Sequence, residues 1–213
     1  MACLPDYAEL HCLSNFSFLR GASHAEELVE RAAALGYAAL ALTDECSLAG
    51  VVRAHVAAKA CGFKLIIGSE LRLADGTQLV LLATDRRSYG ALSALIAAGR
   101  RRGKKGTYRL ERADVEGCAA SGLLALLVAG DGCWLAAQFP GRAWIAAELH
   151  CGPNDRVRLE ALREQSLSSG LPLVAAGDVH MHLRSRRRLQ DALTAIRLGT
   201  PLERCGRALY PNA

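Results

Sequence analysis

Residues 38–73 read AALALTDECSLAGVVRAHVAAKACGFKLIIGSELRL. The run Ala38–Thr43 has the character of a short buried strand, Ser47–Cys61 reads as a helix, and Lys64–Leu73 is again of β type. A strand, a helix and a strand in that order form the repeating unit of a parallel α/β architecture. The same rhythm extends in both directions. Upstream, Tyr7–Ser14 reads as a strand and Ser23–Leu35 as a helix; Ser23 and Glu26 fit an S-x-x-E capping box, and Gly36 can end the helix. Downstream, a turn at Ala74-Asp75-Gly76 leads to a strand at Gln78–Ala83 and a helix at Ser88–Ala98. The basic, glycine-broken segment Gly99–Tyr108 reads as an exposed loop. Further strands fall at Leu123–Ala129, Ala143–Cys151 and Leu173–Val179, with helices at Cys133–Phe139, Asp155–Ser169 and Arg186–Leu198. No repeat of fixed length interrupts the series, so the expected fold is one α/β domain, a closed or distorted barrel in preference to an open sheet.

Composition narrows the function classes. With 213 residues, 51% hydrophobic and 22% charged, the chain is neither disordered nor fibrous. Its longest apolar run, Leu123–Gly130, is far short of the roughly 20 residues of a membrane-spanning helix. Met1–Tyr7 lacks the basic start and apolar core of a secretory signal, which makes a cytoplasmic location the expectation. The eight cysteines contain no CxxC pair and are expected to be mostly small buried apolar residues. The net charge of +5 is concentrated in two clusters. One comprises Arg100, Arg101, Arg102, Lys104, Lys105 and Arg109; the other comprises Arg184, Arg186, Arg187 and Arg188. Either could meet nucleic-acid phosphates. For either cluster taken alone a solvated surface is the favoured reading, and the first sits where a helix should end, where cations complement the dipole.

The polar residues near strand ends form a shorter list: His11, Asp44, Glu45, Glu70, Glu148, His150, Asp178 and His180. In a β/α barrel these ends converge on one mouth. Mixed carboxylates and imidazoles there suit zinc, manganese or iron held beside phosphate oxygens. Each is also a common hydrogen-bonding residue, and Asp44 could cap the helix expected near Ser47. Asp178-x-His180 is the better chelating signal, because residues two apart on a strand share a face.

The order of these signals carries a resemblance. The string Ala8–Gly21 (AELHCLSNFSFLRG), then Ala41-Leu42-Thr43-Asp44, Ile66–Glu70, Leu79–Ala83 and Val174–His180, resembles the successive motifs of the PHP (polymerase and histidinol phosphatase) domain that begins bacterial C-family DNA polymerases. Within that group, SNFSFLRGAS at 14–23, GDVHMHLRSRRRLQDALTAIRLGTPL at 177–202 and the ending Ala208–Asn212 look like the error-prone, damage-inducible paralogues of the replicative polymerase subunit.

The resemblance implies a distorted (β/α)7 barrel over residues 1–200, with 201–213 starting a connection to a polymerase core outside this sequence. It also implies a cleft that in intact members holds several metal ions. His11, Glu70, Asp178 and His180 match the ligand pattern and are weak metal candidates. Leu13 stands for a second histidine, Arg20 for an aspartate, Glu45 for the histidine after Thr43-Asp44, and Gln78 for another histidine. Leucine has no lone pair and arginine is a permanent cation, so the expected cleft is degenerate: His11, Arg20, Asp44, Glu45, Glu70, Gln78, Asp178 and His180, with Arg20 supplying the charge that ions supply elsewhere. No cofactor is expected here, and a parent polymerase would need Mg2+ outside these residues. The implied function is a non-catalytic scaffold within an enzyme of damage-induced translesion synthesis. Its implied partners are the polymerase core, DNA, mutagenesis accessory proteins and a sliding clamp, with no membrane. The alternatives are a metal-dependent phosphoesterase or 3′ to 5′ exonuclease, and a purely structural interaction module.

Overall fold

The structure, a computed structural model, describes residues 6–209. Most of the N-terminal stretch read for a signal, and residues 210–213, which include the last three of the Ala208–Asn212 match, lie outside the described residues. Seven strands form one sheet in sequence order: β1 Ala8–Cys12, β2 Ala39–Leu42, β3 Leu65–Arg72, β4 Gln78–Ala83, β5 Leu124–Ala129, β6 Ala143–Glu148 and β7 Leu173–Ala176. All neighbouring pairs are parallel except those of β4, which runs against both β3 and β5. The turn at Asp75-Gly76 explains the reversal. Gly76 takes φ +89°, and Thr77 N and Oγ1 both donate to Asp75, so the chain doubles back as a hairpin without a crossover helix.

The last strand returns to the first. Leu13 N donates to Val179 O at 2.8 Å and Val179 N to His11 O at 2.9 Å, closing the sheet into a barrel. Glu9 staples the seam, its Oε1 accepting from Gly177 N at 2.9 Å. A side chain at 177 would collide there, since a Cβ would stand 2.4 Å from Glu9 Oε2.

Helices cover the outside: α1 Ala25–Ala34, α2 Val51–Cys61, α3 Arg86–Arg102, α4 Arg112–Cys118, α5 Gly132–Gln138, α6 Asp155–Ser169, α7 Arg187–Leu198 and α8 Leu202–Cys205. Leu28, Val29, Leu40, Leu42 and Val51 make one buried cluster between helices and sheet; Leu71, Leu79, Leu81, Leu92, Leu127 and Phe139 make a larger one. Inside the barrel Ala41, Val80, Leu82, Leu126, Ala146 and Ala176 form a middle layer that mixes alanines with branched side chains. Beneath that layer an open hollow of about 1060 Å³ is lined by Leu10, Ile66, Leu124, Trp144 and Val174 of the strands together with residues of α2 and α3.

Several local expectations need correction. The residue at the start of α1 is His24, and the reciprocal pair is His24 with Glu27, one residue on from the S-x-x-E reading. Ser23 instead bonds His182 at 2.7 Å. The basic segment is helical as far as Arg102, because Leu92, Leu95 and Gly99 keep α3 seated on the core for another turn. Helix α4 lies in a stretch to which no element was assigned, held by buried Val115. Among the described residues the cysteines are not mostly buried: Cys61, Cys133 and Cys151 are exposed, Cys118 is half-buried, and Cys12, Cys46 and Cys205 are buried.

Candidate functional site

The cleft is built on a bulge. Glu9 pairs with Leu40 and Cys12 with Leu42, so β1 carries an extra residue between them. That extra residue lets Leu10 and His11 both turn toward the barrel interior while Cys12 packs outward with α1 and α2. Glu9 Oε1 accepts from His11 N at 2.9 Å within the bulge. Above the middle layer, Glu70 projects from β3 and Glu148 from the end of β6. Asp178 follows β7 with the backbone at φ +46°.

His11 is the centre. Its Nδ1 is 2.6 Å from Glu148 Oε1 and 3.8 Å from Asp178 Oδ1, and its Nε2 is 3.0 Å from Glu70 Oε2. Burial alone would push the imidazole below its ordinary value, but the hydrogen bonds to Glu148 and Glu70 raise it to about 10. The same two carboxylates thus favour the protonated imidazole, a cation between acids.

Arg20 closes the other side. Its Nη1 and Nη2 donate to the two oxygens of Glu70 at 2.6 and 2.9 Å, and Nη1 also donates to Glu45 Oε2 at 2.7 Å. Glu70 is fully buried, which alone would raise its carboxyl. The His11 bond and the Arg20 guanidinium hold it down at about 2. Asp178 is likewise held well below the carboxylate range against its burial, by the bond from His180 and by the charge of His11 and Arg20. The main chain presents Arg20 from a fixed position: its carbonyl accepts from Gln190 Nε2 at 2.7 Å and lies 3.0 Å from His180 Nδ1, while Leu19 before it sits at φ +58°. Among the described residues the non-glycine positions with left-handed backbone are Leu19, Cys46, Cys151 and Asp178, all on loops at this mouth.

The remaining expected cleft residues fall in different places. Asp44 does not cap α2, which begins after Gly50. It is buried, and its carboxylate accepts from Ser14 N, Ser14 Oγ and Ser17 Oγ at 2.7 to 2.8 Å, tying the Ser14–Arg20 loop down. Glu45 bridges Arg20 to the hydroxyl of Tyr108, which donates to Glu45 Oε1 at 2.9 Å. Gln78 lies on the same strand face as Val80, but its Oε1 accepts from Arg72 at 3.3 Å. His180 Nε2 is 2.9 Å from Asp178 Oδ1. Leu13 is fully buried.

The basic clusters divide. Arg100 reaches back to the carbonyls of Cys46 and Glu45 at 3.1 Å and stacks on Tyr108. Arg102 pairs with Asp114, Arg186 with Glu27 and Arg187 with Asp191. Arg101, Lys104, Lys105, Arg184 and Arg188 are exposed. Glu148 stood among the strand-end polar residues expected at the mouth, and the structure places it there against His11. Two partners were not picked out from sequence, Tyr108 and Gln190, and neither carried a signal.

A cluster of metal ions does not fit these residues. His11, Glu70 and Asp178 bring donor atoms within 4.8 Å of one another, a partial set of three. Arg20 already saturates Glu70, and Leu13 offers nothing. What the arrangement does is neutralise: His11, Arg20 and, at 3.6 Å from Glu148, Arg158 stand against Glu45, Glu70, Glu148 and Asp178.

A seven-stranded barrel with one reversed strand, its carboxylates and imidazoles gathered at the mouth where β/α barrels keep their chemistry, defines the class of protein. The chain belongs to the PHP domain family, whose sequence model matches residues 9–147. It is 60% identical to an error-prone DNA polymerase of Dechloromonas aromatica over 98% of this chain and 21% of that protein. It is 59% identical to an error-prone DNA polymerase of Methylococcus capsulatus over the whole chain and, again, 21% of the relative. The chain thus spans about one fifth of the length of the curated relatives it matches. Among solved structures it resembles an amidohydrolase of Chromobacterium violaceum with a TM-score of 0.61 and 20% identity, over 82% of this chain and 87% of that one, a likeness of fold. No helix among the described residues is long and apolar enough to cross a membrane.

Proposed function

We propose that residues 1–200 serve as the PHP domain of an error-prone DNA polymerase acting in damage-induced translesion synthesis, with 201–213 leading toward the polymerase core. The domain is a non-catalytic scaffold, and nucleotidyl transfer with its Mg2+ belongs elsewhere in the polypeptide. The observation that carries this reading is the two-pronged grip of Arg20 on Glu70, where an ion-binding cleft needs a free carboxylate. The cleft residues His11, Arg20, Asp44, Glu45, Glu70, Asp178 and His180 then act as an internal charge lattice that fixes the barrel mouth. Gln78 joins its rim. The exposed cations Arg101, Lys104, Lys105, Arg184 and Arg188 face DNA or a neighbouring protein, which in such a system includes mutagenesis accessory factors and a sliding clamp, in the cytoplasm.

Metal analysis by inductively coupled plasma mass spectrometry tests the reading, together with nuclease and phosphoesterase assays. The expected result is protein without stoichiometric zinc, manganese or iron after dialysis, and no turnover above that of an Asp178→Ala variant. Tightly held metal, with hydrolysis abolished by that substitution, would instead establish a metal-dependent phosphoesterase or exonuclease.

A further inference from the structure

Helix α7 is inverted in polarity. The side chains it buries are polar, Gln190 and Thr194, while Leu189 and Ile196 stand 43% and 64% exposed. The inward pair has a reason: Gln190 holds the Arg20 carbonyl, and Thr194 Oγ1 donates to Gln190 O at 3.0 Å. Among the described residues Leu189 and Ile196 are left exposed, with Leu193 between them partly buried. Leu189, Leu193 and Ile196 follow the i, i+4, i+7 spacing of a helix face that ordinarily meets a core. Leu202, four residues past the end of the helix, is also exposed. On its other side a hollow of about 270 Å³ separates Leu189 and Leu193 from Phe18, which is 83% exposed. The result is an apolar flank on α7 facing Phe18 across a hollow that Asn15, Ser23 and His24 also line, rimmed by the exposed Arg184, Arg188 and Arg197. Contiguous apolar patches of this kind mark places where another surface docks.

We infer that the apolar flank of α7, with Phe18, is the docking surface for the polymerase portion of the same polypeptide, and that the facing surface is apolar at its centre and acidic at its edge. This rests on the polymerase reading above. Two observations select that occupant. About four fifths of the length of the matched polymerases lies outside the matched stretch. The cationic rim calls for carboxylates opposite it. Docking on α7 also acts on the cleft, because the same helix grips Arg20 through Gln190.

The test uses the intact polypeptide expressed from its complete reading frame, carrying Ile196→Cys or, as a reference on the solvent face of α6, Arg156→Cys. Maleimide labelling is followed peptide by peptide in the mass spectrometer, so that the native cysteines are read separately. The expected result is labelling at position 196 roughly tenfold or more slower than at 156 in the folded chain, and equal rates in urea. Equal rates in the folded chain overturn the inference, as does protection that disappears on dilution, which would identify a second copy as the occupant. Should Ile196→Cys fail to fold, hydroxyl-radical footprinting of the unsubstituted chain decides: modification of Leu189 and Ile196 at the rate of fully exposed residues overturns the proposal. Primer extension by the same preparation reports separately on the polymerase reading, so either conclusion can fall alone.

Discussion

Replacing Arg20 by methionine keeps most of its volume and removes its charge, leaving Glu70 buried against His11 alone and Glu45 without its guanidinium. Two routes give the magnitude. Holding the Glu70 carboxyl at about 2, against an ordinary 4.5, corresponds to about 3 kcal/mol at neutral pH, shared between His11 and Arg20. Removing one partner of a buried pair costs about 3–5 kcal/mol, because the other charge stays behind. An expected loss of about 3 kcal/mol becomes a fall in Tm of roughly 6–12 °C for a chain of this length. Arg20→Lys keeps the charge but not the two-pronged geometry and should lie between the two proteins. Denaturant unfolding followed by circular dichroism measures these losses. Adding Glu70→Gln to Arg20→Met should recover part of the stability, with a coupling of about 1–3 kcal/mol. A loss below about 0.5 kcal/mol, the range of ordinary surface changes, or strict additivity in the double variant would refute the idea that Arg20 balances the cleft.

The His11 imidazole, raised from 6.5 to about 10, contributes stability that is complete below pH 6.5 and disappears as pH climbs through 10. Unfolding free energy measured between pH 7 and 10 should therefore drop, and His11→Leu should remove most of that alkaline slope. Gly21→Ala places a Cβ 2.1 Å from Ser14 O, backbone that cannot step aside, so the Arg20 loop must shift. The expected cost is about 1–3 kcal/mol, and a variant with unchanged Tm contradicts the described loop. Arg100 and the outer cations should separate in DNA titrations. Alanine at Arg101, Lys104 and Lys105 should flatten the salt dependence of affinity, since fewer counterions are released. Arg100→Ala should lower stability and leave that slope unchanged, and the reverse pattern would invert their assignments.

The alternation of strand and helix was readable because strand and helix periods differ and glycines punctuate them. Even β4 could be placed from its turn residues. A closed or distorted barrel was the expectation from that alternation, but the particular pairing that closes it, Cys12 with Val179, joins segments some 170 residues apart and no local pattern records it. The cleft split in the same manner. His11, Glu70 and Asp178 stood out as polar residues at strand ends, and Arg20 stood out as a charge at a position that intact relatives fill with an acid. Glu148 became a partner of His11 only through the bulge in β1, and an extra residue in one strand shows only against its neighbour. Tyr108 reaches Glu45 across a fold-back of the basic segment, where Arg109 N donates to Gly99 O. The exposed cysteines show the limit of residue-type averages, since Cys61, Cys133 and Cys151 lie on helix ends and loops where the chain meets solvent.

The seam between the first and last strands also sets an order of assembly. During synthesis β1 emerges early and holds a raw edge until residues 173–179 arrive to cover it, so any product truncated before that point presents two unpaired edges to other chains. Arg20 and Glu70 can meet while the chain is still growing, whereas Glu148 and Asp178 reach His11 only with the final quarter of the barrel. A half-made domain therefore holds its first acid neutralised and its histidine waiting, and the ring locks when the seam does.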